Sequence, residues 1–213
     1  MIRVALVDDH ELVRTGFRMI LAQHTDIEIV GEAADGERGL ALIRASEPDV
    51  AIVDVHMPML SGIELTDRVR KHKLKTRIIV LTMASESPFP KRLIEAGASG
   101  YLTKGCAAEE LVRAVRQVAE GKRYLAPDIA AALALDSIDG QDGSPFEALS
   151  SRELDVALML VRGETMQAIA AKLSLSAKTV ATYKYRLYEK LGIDNPVALA
   201  NLARRHGLEP DPS

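Results

Sequence analysis

Only one cysteine, Cys106, occurs in the 213 residues. No intrachain disulfide can form, and such a chain fits a reducing compartment. No run of about 18 apolar residues is present, which argues against a membrane-spanning helix. The opening stretch, MIRVALVDDHEL, lacks the order of a signal peptide: its apolar part is short and ends in acids. A cytoplasmic protein is the expectation. Charge of one sign is also missing. The 27 Lys/Arg and 30 Asp/Glu leave a net −3, so nothing global singles out nucleic acid or a membrane surface as partner. There are no internal repeats.

What is present is an ordinary globular composition, 47% hydrophobic and 27% charged, in a chain long enough for two domains. From 2 to 124 short β-branched runs (2–7, 27–33, 50–53, 77–82, 100–103) alternate with helical stretches (11–23, 36–46, 62–72, 90–97, 107–120). Such alternation predicts an α/β, doubly wound (βα)5 domain with a parallel sheet covered on both faces. Beyond 127 the character changes. Residues 128–138 suit a short helix, and 136–147 are rich in Asp, Gly and Ser, as linkers are. From 149 no strand pattern appears; helices at about 151–162, 166–173, 177–191 and 196–206 fill the rest, capped by Ser150, Ser176 and Asn195 before Pro196. The expected division is 1–121, a linker with a short helix at 122–147, and an all-α helix-turn-helix domain at 148–213.

Sites in doubly wound sheets lie at the carboxyl ends of the strands. The first expected strand ends in Asp8-Asp9, the third in Asp54, the fourth in Thr82 and the fifth in Thr103-Lys104. Taken alone, Asp54 is either a surface turn residue or a carboxylate held for chemistry. Taken together, three converging carboxylates repel unless a cation joins them. Mg²⁺ suits such a site, because it accepts a few protein oxygens and fills its shell with water and phosphate oxygens. With Lys104 as a fixed positive charge and Thr82 as a hydroxyl donor, the set suits phosphoryl transfer to a carboxylate. Asp54 is then the nucleophile, Asp9 and Asp54 hold the metal, and Asp8 assists through water.

The stretches LVDDHELVRTGF, DVHMP, VLT and GYLTKG resemble the receiver domain of bacterial two-component response regulators. The resemblance implies that Asp54 is the phosphoacceptor for a sensor histidine kinase and that Asp8 and Asp9 are the acidic pair. Thr82 and Lys104 become the switch pair, and Tyr101 an aromatic switch that turns inward as Thr82 moves. The main-chain carbonyl of His56 completes the Mg²⁺ shell. Two departures stand out: Gly105 follows Lys104 where many receivers have proline, and Pro88 and Pro90 predict a longer loop after the fourth strand.

The C-terminal segment 145–213 carries nine Lys/Arg and eight Asp/Glu, but Lys172, Lys178, Lys184, Arg186 and Lys190 cluster in a stretch where Glu189 is the one acid. On a helix over 177–191, Val180, Leu187 and Leu191 share one face, the expected core side. Lys178, Ala181, Thr182 and Tyr185 lie opposite. That face suits either a solvated bundle surface or a helix entering a DNA major groove. The candidate DNA contacts are Lys178, Thr179, Ala181, Thr182, Lys184, Tyr185, Arg186 and Lys190. LSSRE, the core from Ile169 to Val180, and KLGI resemble the LuxR/FixJ-type helix-turn-helix. The two resemblances together identify a NarL/FixJ-type response regulator. ESPFPKRLIEAGASGYLTKG, SPFEALSSREL, TVATYKYRLYEKL and RRHGL look most like its GacA/UvrY/SirA subgroup.

That resemblance implies a non-enzymatic transcription factor. Phosphorylation of Asp54 uncovers the recognition helix, the chain dimerises through 196–206, and double-stranded DNA is bound, activating small regulatory RNA genes. The alternatives are a phosphoaspartyl hydrolase, which usually needs a second acid just after the nucleophile where Val55 and His56 stand, or a regulator that binds DNA without phosphorylation. Ala84, beside the expected phosphoryl group, cannot position an attacking water, so a long-lived phosphoryl state is expected.

Overall fold

The computed structural model describes residues 1–55, 57, 59–82, 94, 96–127, 130, 144–173, 175–206 and 208. They form two compact units, one within 1–139 and one within 140–213.

In the first unit the strands β1 (Ile2–Val7), β2 (Ile27–Ala33), β3 (Val50–Asp54), β4 (Arg77–Thr82), β5 (Gly100–Thr103) and β6 (Tyr124–Leu125) form one sheet in the order β2-β1-β3-β4-β5-β6. Every pairing is parallel. The helices are α1 (Glu11–Leu21), α2 (Gly36–Ser46), α3 (Gly62–Lys71) and α4 (Ala108–Ala119). Successive strand side chains point to opposite faces. Val4, Leu6, Val50, Ile52, Ile79 and Leu81 therefore join one core with Phe17, Leu21, Leu111 and Val115. Their neighbours Ala5, Val7, Ala51, Val53, Ile78 and Val80 join a second core with Leu40, Ile43, Leu65 and Val69. The central strands thus read as unbroken apolar runs because both faces are covered.

Two elements lie within the stretch expected as linker, 122–147. β6 extends the sheet beside β5: Tyr124 N–H donates to Ser99 O at 3.0 Å and Ala126 N–H to Tyr101 O at 3.1 Å. The other lies at its far end. Pro145–Ala148 form a 3-10 turn whose Phe146 is fully buried in the core of the second unit. An aromatic side chain of that size is drawn out of a polar stretch by the area it removes from water. The expected helices at 90–97 and 128–138, with Ala84, Pro88 and Pro90, lie largely outside the described residues.

The second unit consists of that turn and α5 (Ser151–Val161), α6 (Met166–Lys172), α7 (Ala177–Leu191) and α8 (Pro196–Arg205). The caps are those expected. Ser150 and Glu153 form a capping box, Ser176 Oγ accepts from Thr179 N–H at 3.0 Å, and Asn195 Oδ1 accepts from Ala198 N–H at 2.8 Å. Gly192 ends α7 at φ 63°, in the left-handed region that favours glycine. Phe146, Leu154, Ile169, Val180, Leu187 and Leu199 share the core, with Leu191 packed at its margin.

Candidate functional site

The sheet order places the carboxyl ends of β1, β3, β4 and β5 side by side. Asp8 and Asp9 follow β1, Asp54 is the last residue of β3, Thr82 ends β4, and Lys104 follows β5. The main chain locks these ends together: Asp8 N–H donates to Ala33 O, Val55 N–H to Leu81 O, and Lys104 N–H to Thr82 O at 2.7 Å. Helix α3 closes on the pocket through Gly62. A Cβ there would stand 2.0 Å from the Asp54 carbonyl oxygen, so only glycine permits this approach.

Asp8, Asp54 and Thr82 are buried, and Asp9 is more exposed. The Lys104 ammonium lies 2.9 Å from Asp54 Oδ2 and 3.1 Å from Asp8 Oδ2. Burial, followed by repulsion from Asp8, pushes the Asp54 carboxyl up to about 7 despite Lys104. Burial alone would lower the Lys104 pKa, but Asp54 and Asp8 outweigh it and hold the ammonium above its ordinary value. Tyr101, expected as a switch, already points inward and is fully buried, its backbone paired with Val80 and Leu125. His56, expected to supply a carbonyl, lies outside the described residues.

One neighbour was not among the expected site residues. His10, the N-cap of α1, sets Nδ1 2.8 Å from Asp9 Oδ1 and 3.2 Å from Asp8 Oδ1. Donor atoms of Asp8, Asp9, His10 and Asp54 all lie within 4.8 Å of one another. Among the described residues, Asp8 Oδ2 and Asp54 Oδ2 have no hydrogen bond of good geometry, only the Lys104 ion pair. Three carboxylates against one ammonium leave negative charge unmet, and their hard oxygens fit a divalent cation.

On α7, Lys178, Ala181, Thr182, Tyr185 and Arg186 are exposed, and Tyr185 keeps 71% of its surface in water. Lys178 and Arg186 have no ion-pair partner among the described residues. The flanks behave otherwise. Thr179 is half-buried, its hydroxyl 2.8 Å from Ser176 Oγ. Lys184 lies over the Tyr188 ring at 5.3 Å. Lys190, expected at a phosphate, is instead 2.7 Å from the buried Glu153 Oε2 and donates to Ala148 O at 3.2 Å. The structure therefore gathers Lys178, Ala181, Thr182, Tyr185 and Arg186 on one outward face and ties Lys190 into the fold. The low-dielectric setting of Glu153 explains that pairing, since a buried carboxylate left without a cation is costly.

Residues 4–116 match the response regulator receiver domain, and residues 147–203 match the LuxR family of bacterial regulatory proteins. The chain is 48% identical over 209 residues to the response regulator GacA of Pseudomonas aeruginosa, covering 98% of each. It is 46% identical to the response regulator UvrY of Escherichia coli, covering 98% of this chain and 96% of that one. Among solved structures it is similar to RcsB of Salmonella enterica serovar Typhimurium bound to a promoter in the presence of the phosphomimetic BeF3⁻. That likeness has a TM-score of 0.68 and 28% identity, over 94% of this chain and 97% of that one.

Proposed function

The chain belongs to the response regulators that join a receiver domain to a LuxR-family DNA-binding domain, and from that membership we propose that Asp54 takes the phosphoryl group of a sensor histidine kinase. The observation that carries this reading is the buried Asp54 carboxylate, 2.9 Å from a Lys104 ammonium that also reaches Asp8. Asp54 attacks phosphorus and the phosphodonor departs, leaving an acyl phosphate on the side chain. Lys104 stays paired with the transferred oxygens, a charge fixed in a water-poor site. Asp8, Asp9 and Asp54 would hold Mg²⁺, with the His56 carbonyl as the further ligand that the family resemblance implies, and the ion would add to the neutralisation of the phosphoryl charge.

Thr82 then binds the phosphoryl group, and with the inward Tyr101 it couples the pocket to the rest of the receiver. This chemistry is stoichiometric, which suits a transcription factor better than a metabolic enzyme. The receiver runs through β6, the DNA-binding unit starts at Ser144, and the segment between them is the linker. Phosphorylation promotes dimerisation and places Lys178, Ala181, Thr182, Tyr185 and Arg186 in the major groove of double-stranded DNA. The targets we favour are small regulatory RNA genes. A cytoplasmic location fits, and no described helix is long and apolar enough to cross a membrane.

The test is labelling with acetyl phosphate and Mg²⁺, resolved on phosphate-affinity gels. The wild-type chain is expected to shift and Asp54→Asn to remain unshifted. A persistent label in Asp54→Asn would place the acceptor elsewhere. Multiple turnover of a phosphate ester would instead favour a hydrolase.

A further inference from the structure

We propose that His10 Nδ1 is a ligand of the divalent cation in this pocket and gives the site a preference for imidazole-binding transition metals over Mg²⁺. The inference rests on the receiver reading above and adds to it a nitrogen donor. The ring is not used for the task its position suggests. His10 caps α1 with extended backbone angles, φ −86° and ψ 106°, yet makes no side-chain cap hydrogen bond. Its own N–H donates to Asp8 Oδ1 at 2.8 Å, which holds the residue against the acidic pair.

The distances suit coordination. In an octahedral shell with bonds of about 2.1 Å, adjacent ligand atoms stand about 3 Å apart and opposite ones about 4.2 Å. Nδ1 is 2.8 Å from Asp9 Oδ1 and 3.2 Å from Asp8 Oδ1, the spacing of adjacent ligands. The full donor set lies within 4.8 Å, slightly wider than that shell, so the side chains close in by about 0.6 Å when an ion arrives. The ring is 63% exposed, so it can adjust to an arriving ion without repacking a core.

The preference follows from donor chemistry. Mg²⁺ takes oxygen ligands almost exclusively and gains little from an imidazole. For mixed nitrogen and oxygen sites, affinity rises along the series from Mn²⁺ to Co²⁺ and Ni²⁺, and Zn²⁺ also favours imidazole. A pocket of carboxylates alone would share that order weakly; a histidine steepens it.

The experiment is calorimetric titration of the full chain, stripped with chelator, by Mg²⁺, Co²⁺, Ni²⁺ and Zn²⁺ separately. Wild type, His10→Ala and His56→Ala are compared. The ratio of Mg²⁺ to Ni²⁺ dissociation constants is expected to fall at least about tenfold in His10→Ala, and Zn²⁺ should shift the His10 Nδ1 nitrogen resonance of the wild-type chain. An unchanged ratio, with His10 only an ion-pair partner, would overturn the proposal. So would an equal loss for all four ions, or a fall in the ratio carried by His56→Ala alone. The receiver reading is checked apart from this, by Mg²⁺ binding and acetyl phosphate labelling of the wild-type chain. If those succeed while the ratio stays fixed, His10 alone is wrongly assigned; if they fail, the receiver reading falls too.

Discussion

At the end of the sheet, Asp8 and Asp54 are buried and a single ammonium answers both across 2.9–3.1 Å. On α7, Lys178 and Arg186 stand in water beside an exposed Tyr185. The first region holds charge where it is costly, and a cation or a phosphoryl group can relieve the imbalance. The second holds charge where it costs little, ready for a polyanion. A group under tension suits a switch, and a relaxed, solvated face suits a docking surface. The same contrast appears inside the C-terminal unit. Lys190 is tied to the buried Glu153, whereas Lys178, twelve residues earlier on the same helix, has no such partner among the described residues.

The comparison can be broken first at the part of the second unit that looked like linker. Phe146→Ala should lower the stability of a 144–213 fragment by about 3–5 kcal/mol, read by urea denaturation. The intact fragment should bind DNA without phosphorylation. A fragment beginning at 148 that melts like the longer one would show that Phe146 packs into nothing that matters.

The buried pocket makes a pH prediction. Asp54 titrates near 7 in the folded chain and near 3.9 when unfolded. Between those values the folded state binds the extra proton, so its stability falls as pH rises. The loss is up to about 4 kcal/mol and is complete above pH 7. Without divalent ions, Asp54→Asn should therefore stabilise the chain relative to wild type at pH 8 and much less at pH 4. Thermal melts in chelator at the two pH values check this, and an equal gap at both would contradict it.

A smaller effect separates the two lysines. Lys190→Met should cost about 2 kcal/mol of stability, because it leaves Glu153 buried without its cation. Its double-mutant cycle with Glu153→Gln should be non-additive. The smallest effect is electrostatic: Lys178→Ala should reduce the slope of log K for DNA against log salt by about 1, while Lys190→Met leaves that slope unchanged. Equal slope changes would make both lysines phosphate contacts.

Much of this was legible in the residues. The alternation of apolar runs with helical stretches placed five strands, because a strand buried on both faces must be continuously apolar. Ser150, Ser176 and Asn195 marked helix starts because a short polar side chain satisfies an otherwise unpaired backbone N–H. Asp8, Asp9, Asp54, Thr82 and Lys104 were found by supposing a parallel sheet and reading its carboxyl edge. His10 stood in the same VDDH stretch but carried no signal, since its ring could as well have faced solvent or capped α1.

The sequence by itself therefore determined which segments become strands and helices, which faces are apolar and which acids share an edge, because burial has a period that neighbouring residues reveal. Only the tertiary structure decided that Tyr124–Leu125 completes the sheet, that Phe146 fills the second core, that Lys190 meets Glu153, and that one ammonium bridges Asp8 and Asp54. Those outcomes depend on which distant groups share a low-dielectric space. There, an uncompensated charge or an unfilled volume costs far more than any local preference, so packing rather than periodicity chooses the partner.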